Sequence, residues 1–206
     1  MRERFDATVA AVARTGALVN ENARLDVGDA EHHRLFMTLL RAATATRMSD
    51  ADFAAQREIA ATIAADDMSF RATLARGATL DHRAWGIANE TRNKLRYARR
   101  EFFQRFDILL TIAATPAFPH DHNPDRDQRR IPVNGRLILY GDQRFWAGLA
   151  SLSYLPATAA PIGRTAAGLP VGLQIIGAEG EDLTTIEFAR LLAREIGGFT
   201  PPPGYA

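Results

Sequence analysis

The segment from Pro156 to Gly177 constrains the fold of this chain more than any other. Pro156–Ile162 and Val171–Ile176 read as two strands, and the residues from Gly163 to Gly168 between them hold the glycines that a reversal of direction needs. Within the second strand Gln174 alternates with Val171, Leu173 and Ile175. A buried strand obliges that amide to find partners, so Gln174 is assigned a structural hydrogen-bonding role, and Pro156 and Gly172 belong to the same scaffold. Asp182 then caps a terminal helix whose Ile186, Ala189, Leu192, Ala193 and Ile196 face the core. Gly197-Gly198 ends it ahead of the extended Pro201-Pro202-Pro203.

The rest of the chain supplies helices to cover such strands. Phe5, Val9, Val12 and Ala13 recur at helical spacing over residues 2–15, with Gly16 as the stop. Ala17–Leu25 reads as a short strand. Asp29 is placed to cap a second helix with Leu35, Phe36, Leu39 and Leu40 on its apolar face, and Ser49 to cap a third with Phe53, Ile59 and Ile63 buried. The longest helix runs from Leu80 to Phe106 along a stripe through Ala84, Ala88, Thr91, Leu95, Ala98, Phe102 and Phe106. Its Arg92, Arg96, Arg99, Arg100 and Arg105 fall mostly outside that stripe, the pattern of a solvated face. Ile108, Leu109, Leu110 and Ile112 form a buried strand bounded by Pro116. From Thr115 to Gly141 the chain is rich in Pro, Asp, Arg and Asn, a covering loop with one hairpin at Asn134-Gly135; Phe145–Leu152 is a short helix. These elements predict one α/β unit over residues 1–206, a mixed β-sheet flanked by helices, without internal repeats.

Composition removes whole classes of function. The 25 Lys+Arg and 24 Asp+Glu leave a net charge of +1, without the clustered basic excess that a nucleic-acid or anionic-membrane binder needs. No apolar run approaches the roughly 18 residues of a bilayer span. The start, Met1-Arg2-Glu3-Arg4-Phe5-Asp6, fits neither a signal peptide nor an acid-poor transit peptide, so a cytoplasmic protein is expected. Without cysteine there are no disulfides, thiolate nucleophiles or Cys-based metal sites. Lysine occurs once, at Lys94, and serine only at Ser49, Ser69, Ser151 and Ser153, so each lysine- or serine-based mechanism can be checked by name.

None of those serines stands in the Gly-x-Ser-x-Gly context that exposes a nucleophile on a tight turn; Ser151 has a helix-end setting. His120-Asp121-His122 is the one cluster with metal-like chemistry. It lies between Pro119 and Pro124 with no third ligand beyond Asp125 or Asp127, short of the three or four convergent ligands a metal takes, so no metal is expected. His32-His33 and His82 are isolated on helices, in surface or packing roles. No Gly-rich phosphate cradle occurs, and no nucleotide cofactor is expected.

The run Tyr154-Leu155-Pro156-Ala157-Thr158-Ala159-Ala160-Pro161-Ile162-Gly163, followed by Gly168-Leu169-Pro170-Val171-Gly172-Leu173-Gln174-Ile175-Ile176-Gly177 and the helix at Asp182, resembles the carboxy-terminal part of the amidase signature family. Upstream, Phe102-Phe103-Gln104-Arg105-Phe106-Asp107-Ile108-Leu109-Leu110-Thr111 and then Thr115-Pro116-Ala117-Phe118-Pro119 look like the family's aromatic helix, Asp-hydrophobic strand and Thr-Pro loop. The resemblance is specific over residues 80–206 and looser over 1–79. Two positions depart from it: family members usually have Gly where Tyr154 stands and often Asn where Ser151 stands.

The resemblance implies hydrolysis of an amide C–N bond by a Lys, cis-Ser, Ser triad. The lysine, through the first serine, takes the proton from the nucleophilic serine, backbone N–H groups hold the oxyanion, and water cleaves the acyl-enzyme, with no metal or organic cofactor. The family's nucleophile lies in a Gly-Gly-Ser-Ser-Gly-like segment, whereas this chain has no Ser-Ser pair and carries Lys94 on an Arg-rich helix. No catalytic residue carries over. The expectation is therefore the carboxy-terminal portion of an amidase, from a truncated gene, a late start or a cut chain, inactive alone and acting on a small-molecule amide only in the complete enzyme.

A partial sheet exposes edge groups and apolar surface, so a homo-oligomer, or pairing with a missing amino-terminal catalytic half, is expected. A non-catalytic oligomeric interaction module and a metal hydrolase built on His120 and His122 are the competing expectations. Asp142, Phe145 and Trp146 at the short helix, with Thr115 and Phe118 from the preceding loop, are the candidates for lining the substrate cavity, although core packing also accounts for Trp146.

Overall fold

In the computed structural model, which describes residues 1–25, 28–67, 69–113, 128–202 and 204–205, five described helices precede the first described strand. They are α1 (Arg2–Arg14), α2 (Asp29–Ala45), α3 (Asp50–Thr62), α4 (Phe70–Ala78) and α5 (His82–Phe102). There follow β1 (Leu109–Ile112), the hairpin β2 (Arg130–Val133) and β3 (Arg136–Leu139), a 3-10 turn at Tyr140–Gln143, α6 (Arg144–Ser151), β4 (Ala157–Arg164), β5 (Pro170–Ile176) and α7 (Asp182–Ile196). The chain divides into two compact units, one of Met1–Asp26, Ala98–Pro119 and Leu149–Ala206, the other of Val27–Tyr97 and His120–Gly148. No described helix is long and apolar enough to cross a membrane.

The first unit is built on the Gly/Pro-punctuated strands. Its sheet has the order β1-β5-β4 and is antiparallel throughout, with Leu110 opposite Ile175, Thr111 opposite Gln174, and Ala160 opposite Leu173. Pro161 brings no N–H to the ladder, a deficit tolerated on an edge strand, and among the described strands β4 is one. An irregularity between Pro161 and Arg164 coincides with Gly163 at φ +110°, a conformation open to glycine. The alternation along β4 and β5 buries Ala160, Ile162, Val171, Leu173 and Ile175 against Val12 of α1 and Leu192 of α7, with Phe5, Phe188 and Ile196 packed around them. On the same strands Ala157, Ala159 and Pro161 are exposed and Gln174 is half-buried, the pattern of a sheet covered on one face.

The second unit is mainly helical. Ser49 caps α3 as expected, its Oγ accepting from the Asp52 N–H at 3.1 Å, and Ser69 caps α4, accepting from Ala72 N–H at 3.2 Å. Helix α4 packs on α2 and α3, its Ala72 and Ala75 are fully buried, and its Gly77 lies so close to α2 that a Cβ there would fall 2.4 Å from Arg41 Cβ. Asn134 and Gly135 both have positive φ, the primed turn that the Asn-Gly pair predicts for β2–β3.

Several expectations are corrected. Residues 17–25 form no strand; Leu18 is 102% exposed, and an apolar triplet with no partner strand has nothing to pair with. Gly28 rather than Asp29 stands at the cap of α2, and Glu181 rather than Asp182 at that of α7. Helix α3 buries no residue, and Phe53 is exposed. Helix α5 starts at His82, with Asp81 Oδ1 accepting from the Ala84 N–H, and ends at Phe102, four residues early. The core face of α7 carries Thr185 instead of Ile186, which is 55% exposed. Helix α4 has no counterpart in the expectations at all.

Candidate functional site

Three of the residues chosen from the sequence fall on one stretch of chain in the second unit. Asp142 lies in the 3-10 turn, and Phe145 and Trp146 in the first turn of α6. The Phe145 ring stands edge-on to Trp146 at 5.1 Å and 81°. It also meets His32 edge-on at 5.8 Å and His33 at 6.2 Å, both on α2. Gly148 permits this approach, since a Cβ there would come within 2.8 Å of the Phe36 ring. Trp146 is thus half-buried in an aromatic cluster.

Sequence alone puts His32-His33 in surface or packing roles, and His32 is indeed buried in packing. His33 is drawn into the candidate cluster. Burial pushes its imidazole pKa below the ordinary value; the nearby Asp142 carboxylate opposes that shift and the Arg144 guanidinium adds to it. The neutral ring is the favoured form at neutral pH. His33 Nδ1 is buried without a hydrogen-bond partner among the described residues. The remaining cavity candidates, Thr115 and Phe118, and the His120-Asp121-His122 cluster with Asp125 and Asp127 lie outside the described residues. Among the described residues no group of three or more His, Asp or Glu is arranged to hold a metal ion.

At the other end of α6, in the first unit, stands a feature that the charge pattern conceals. That pattern assigns Arg99 to a solvated helix face, yet Arg99 is only 2% exposed. Its Nη1 donates to the Leu149 carbonyl and to Ser153 Oγ, each at 2.7 Å, and Ser153 is 0% exposed. Burial pushes the guanidinium pKa down to about 10, which leaves it a cation at neutral pH. The preference of Leu95 and Phe102 for the inside signals this position, because Arg99 follows Leu95 by four residues and precedes Phe102 by three.

Each serine can now be placed. Ser49 and Ser69 cap helices, Ser153 accepts from Arg99, and Ser151 is the exposed last residue of α6, whose carbonyl accepts from the Tyr154 N–H at 3.4 Å. Lys94 is exposed on α5. The Ser153 Oγ accepts a hydrogen bond from a buried cation, which engages an oxygen lone pair, the opposite of activation by a base.

Among the scaffold residues, Gln174 Nε2 donates to Thr111 Oγ1 at 3.2 Å, and the Pro156 carbonyl accepts from the Gly177 N–H at 3.2 Å. Gly172 faces Pro161, and a Cβ there would meet the Ala160 carbonyl oxygen at an ordinary 3.5 Å. An open cleft of about 350 Å³ in the first unit is lined by Asn20, Asn22, Arg24, Phe102, Arg105 and Phe106 among others; no sequence-chosen candidate lines it.

Comparison with known proteins places the chain. The family model described as Amidase matches residues 1–186. A glutamyl-tRNA(Gln) amidotransferase subunit of Chlamydia pneumoniae is 36% identical over 96 residues, 46% of this chain and 17% of that protein. The same subunit of Nitrobacter winogradskyi is 40% identical over 97 residues, again 46% of this chain and 18% of the relative. A solved amidase superposes with a TM-score of 0.69 at 20% identity, covering 94% of this chain and 42% of its own. The corresponding glutamyl-tRNA(Gln) amidotransferase subunit of Thermotoga maritima does so with a TM-score of 0.64 at 22% identity, covering all of this chain and 42% of its own. The chain thus spans less than half the length of these solved structures and shares their fold. With its Gly-Leu-Pro-Val-Gly-Leu-Gln-Ile-Ile-Gly strand at the centre of the sheet, the chain belongs to the amidase family.

Proposed function

We propose that this chain supplies the scaffold and one pocket wall of an amide-hydrolysing enzyme whose Lys, cis-Ser, Ser centre lies outside it. The observation that carries this reading is the engagement of its serines: two cap helices, one is locked under Arg99, one ends α6, and none adjoins another in sequence. In the complete enzyme the acyl group of a carboxamide is transferred to a serine and then to water; this chain contributes residues that shape the space around it. Phe145 and Trp146 offer an aromatic wall, with Asp142 as an acceptor for the N–H groups of an amide. The relatives include an amidase and a glutamyl-tRNA amidotransferase subunit, which leaves the particular amide open.

The catalytic centre is expected on an amino-terminal half, and the one-sided sheet of the first unit supports such a partner, since Ala157, Ala159 and Pro161 lie exposed beside buried neighbours. Mixing the chain with a polypeptide that carries a Gly-Gly-Ser-Ser-Gly segment and an upstream lysine tests this. Co-elution of the two, with amide hydrolysis and fluorophosphonate labelling confined to the added polypeptide, is the expected result. Hydrolysis by this chain without it overturns the reading. The same exposed face favours a second reading, self-association into a non-catalytic oligomer; sedimentation at micromolar concentration then shows a dimer or larger species, and a well-folded monomer contradicts it.

A further inference from the structure

The carboxyl end of α6 leaves its last carbonyls without intrahelical donors, and each of the final three has a partner beyond the helix itself. Ala150 accepts from the N–H groups of Ser153 at 3.1 Å and Leu155 at 3.2 Å, and Ser151 from Tyr154 at 3.4 Å. The Leu149 carbonyl is served by Arg99 from α5, which reaches Ser153 with the same nitrogen. A guanidinium here also meets the negative end of the helix dipole. Between the two clamped residues and β4 stands Tyr154, at φ +58°. A bulky side chain in the left-handed region persists only where its surroundings over-determine the backbone. Glycine takes that conformation freely, whereas a tyrosine has to be held in it.

We infer that Arg99 is a positioning residue: by holding Leu149 and Ser153 it keeps the turn between α6 and β4 closed with Tyr154 in the left-handed conformation. The Tyr154 ring, 52% exposed, is thereby presented outward at a fixed place. The closed turn itself depends on nothing outside this chain. Arginine suits the place because its longer side chain carries Nη1 to both acceptors, and a lysine ammonium at the same depth is a more strongly hydrated point charge with a shorter reach.

Amide hydrogen exchange on the purified chain tests this residue by residue. Ser153→Ala removes one acceptor with little change of volume and is expected to speed exchange at Ser153, Tyr154 and Leu155 by tenfold or more, with the amides of β5 unchanged. Arg99→Met has the larger effect, and Arg99→Lys restores part of the lost protection. Tyr154→Gly in the Ser153→Ala background restores it also, since the closed turn is then unstrained. Should Arg99→Met fail to fold, the Ser153 and Lys variants carry the test. Equal acceleration over the turn and β5, or no acceleration in the turn, overturns the inference. Exchange reads the chain alone, so this result and a failure to find amide hydrolysis with a catalytic half are independent.

Discussion

The two units of this chain solve burial differently. The sheet unit has a dry centre, with Leu173, Ile175 and Ile176 all fully buried among aliphatic neighbours, and its buried cation, Arg99, is tied to a helix end. The helical unit buries His32 and much of Arg41 beside Phe36, Met37 and Leu39, lays Arg41 over the Phe70 ring at 4.5 Å, and has in α3 a helix with no buried residue. Apolar area removed from water is the main stabilising term in folding. The contrast therefore predicts that the sheet unit is rigid scaffold, while the helical unit, which carries Asp142, Phe145 and Trp146, is more easily reshaped.

Mutations sharpen this contrast in order of size. Leu173→Ala empties the centre of the sheet unit and is expected to lower stability by about 2–5 kcal/mol, read from the urea midpoint. A loss under about 1 kcal/mol would break the comparison, because it would mean the strand is not a core. Gly148→Ala drives a Cβ toward the Phe36 ring and is expected to destabilise by about 1–3 kcal/mol, with Phe145 shifting in response. Fluorescence of the neighbouring Trp146 reports that shift, and an unchanged spectrum would argue against coupling of α2 to the candidate wall.

Acid acts next. The pKa of His33 is lower in the folded chain than in the unfolded one, so the unfolded state binds more protons as the pH falls below about 6.5. The contribution of its neutral form is complete above that value and is lost progressively on acidification toward the lowered pKa. His33→Asn should flatten this part of the stability profile, and an unchanged slope would show that other groups set it. The smallest effect is expected on α3, where Phe53→Ala should alter stability by no more than about 0.5 kcal/mol, because the ring is exposed and Ala favours helix.

Much of the sheet unit, together with the hairpin of the helical unit, is legible in the sequence. The strands, the Asn-Gly hairpin and the resemblance to amidases all rest on Gly and Pro at fixed offsets, which dictate backbone conformation locally. What stays hidden is decided by tertiary approach. Arg99 and Ala98 are neighbours, and the apolar stripe favours Ala98; the structure buries Arg99 because the end of α6 and Ser153 offer it acceptors 50 and 54 residues away. Thr185 displaces Ile186 from the core for a similar reason: it meets Gly177, where a Cβ would fall 2.7 Å from its methyl group, and its hydroxyl lies 2.9 Å from that of Thr158. Helix α4 is short and rich in alanine, so its periodicity is faint, and only the Ser69 cap marks its start. At the candidate site Asp142, Phe145 and Trp146 stand out by their resemblance to a pocket wall, while His33 escapes notice because nothing in its local sequence points to α6.

Fluorophosphonate labelling of the purified chain alone, read by peptide mass spectrometry and accompanied by an assay for ammonia release from carboxamides, tests the central claim most directly. No labelled serine and no turnover are expected, because Ser153 is sealed under Arg99, Ser49 and Ser69 are engaged as helix caps, and Ser151 ends α6 on the surface. Labelling at Ser151 or Ser153 together with turnover would contradict it.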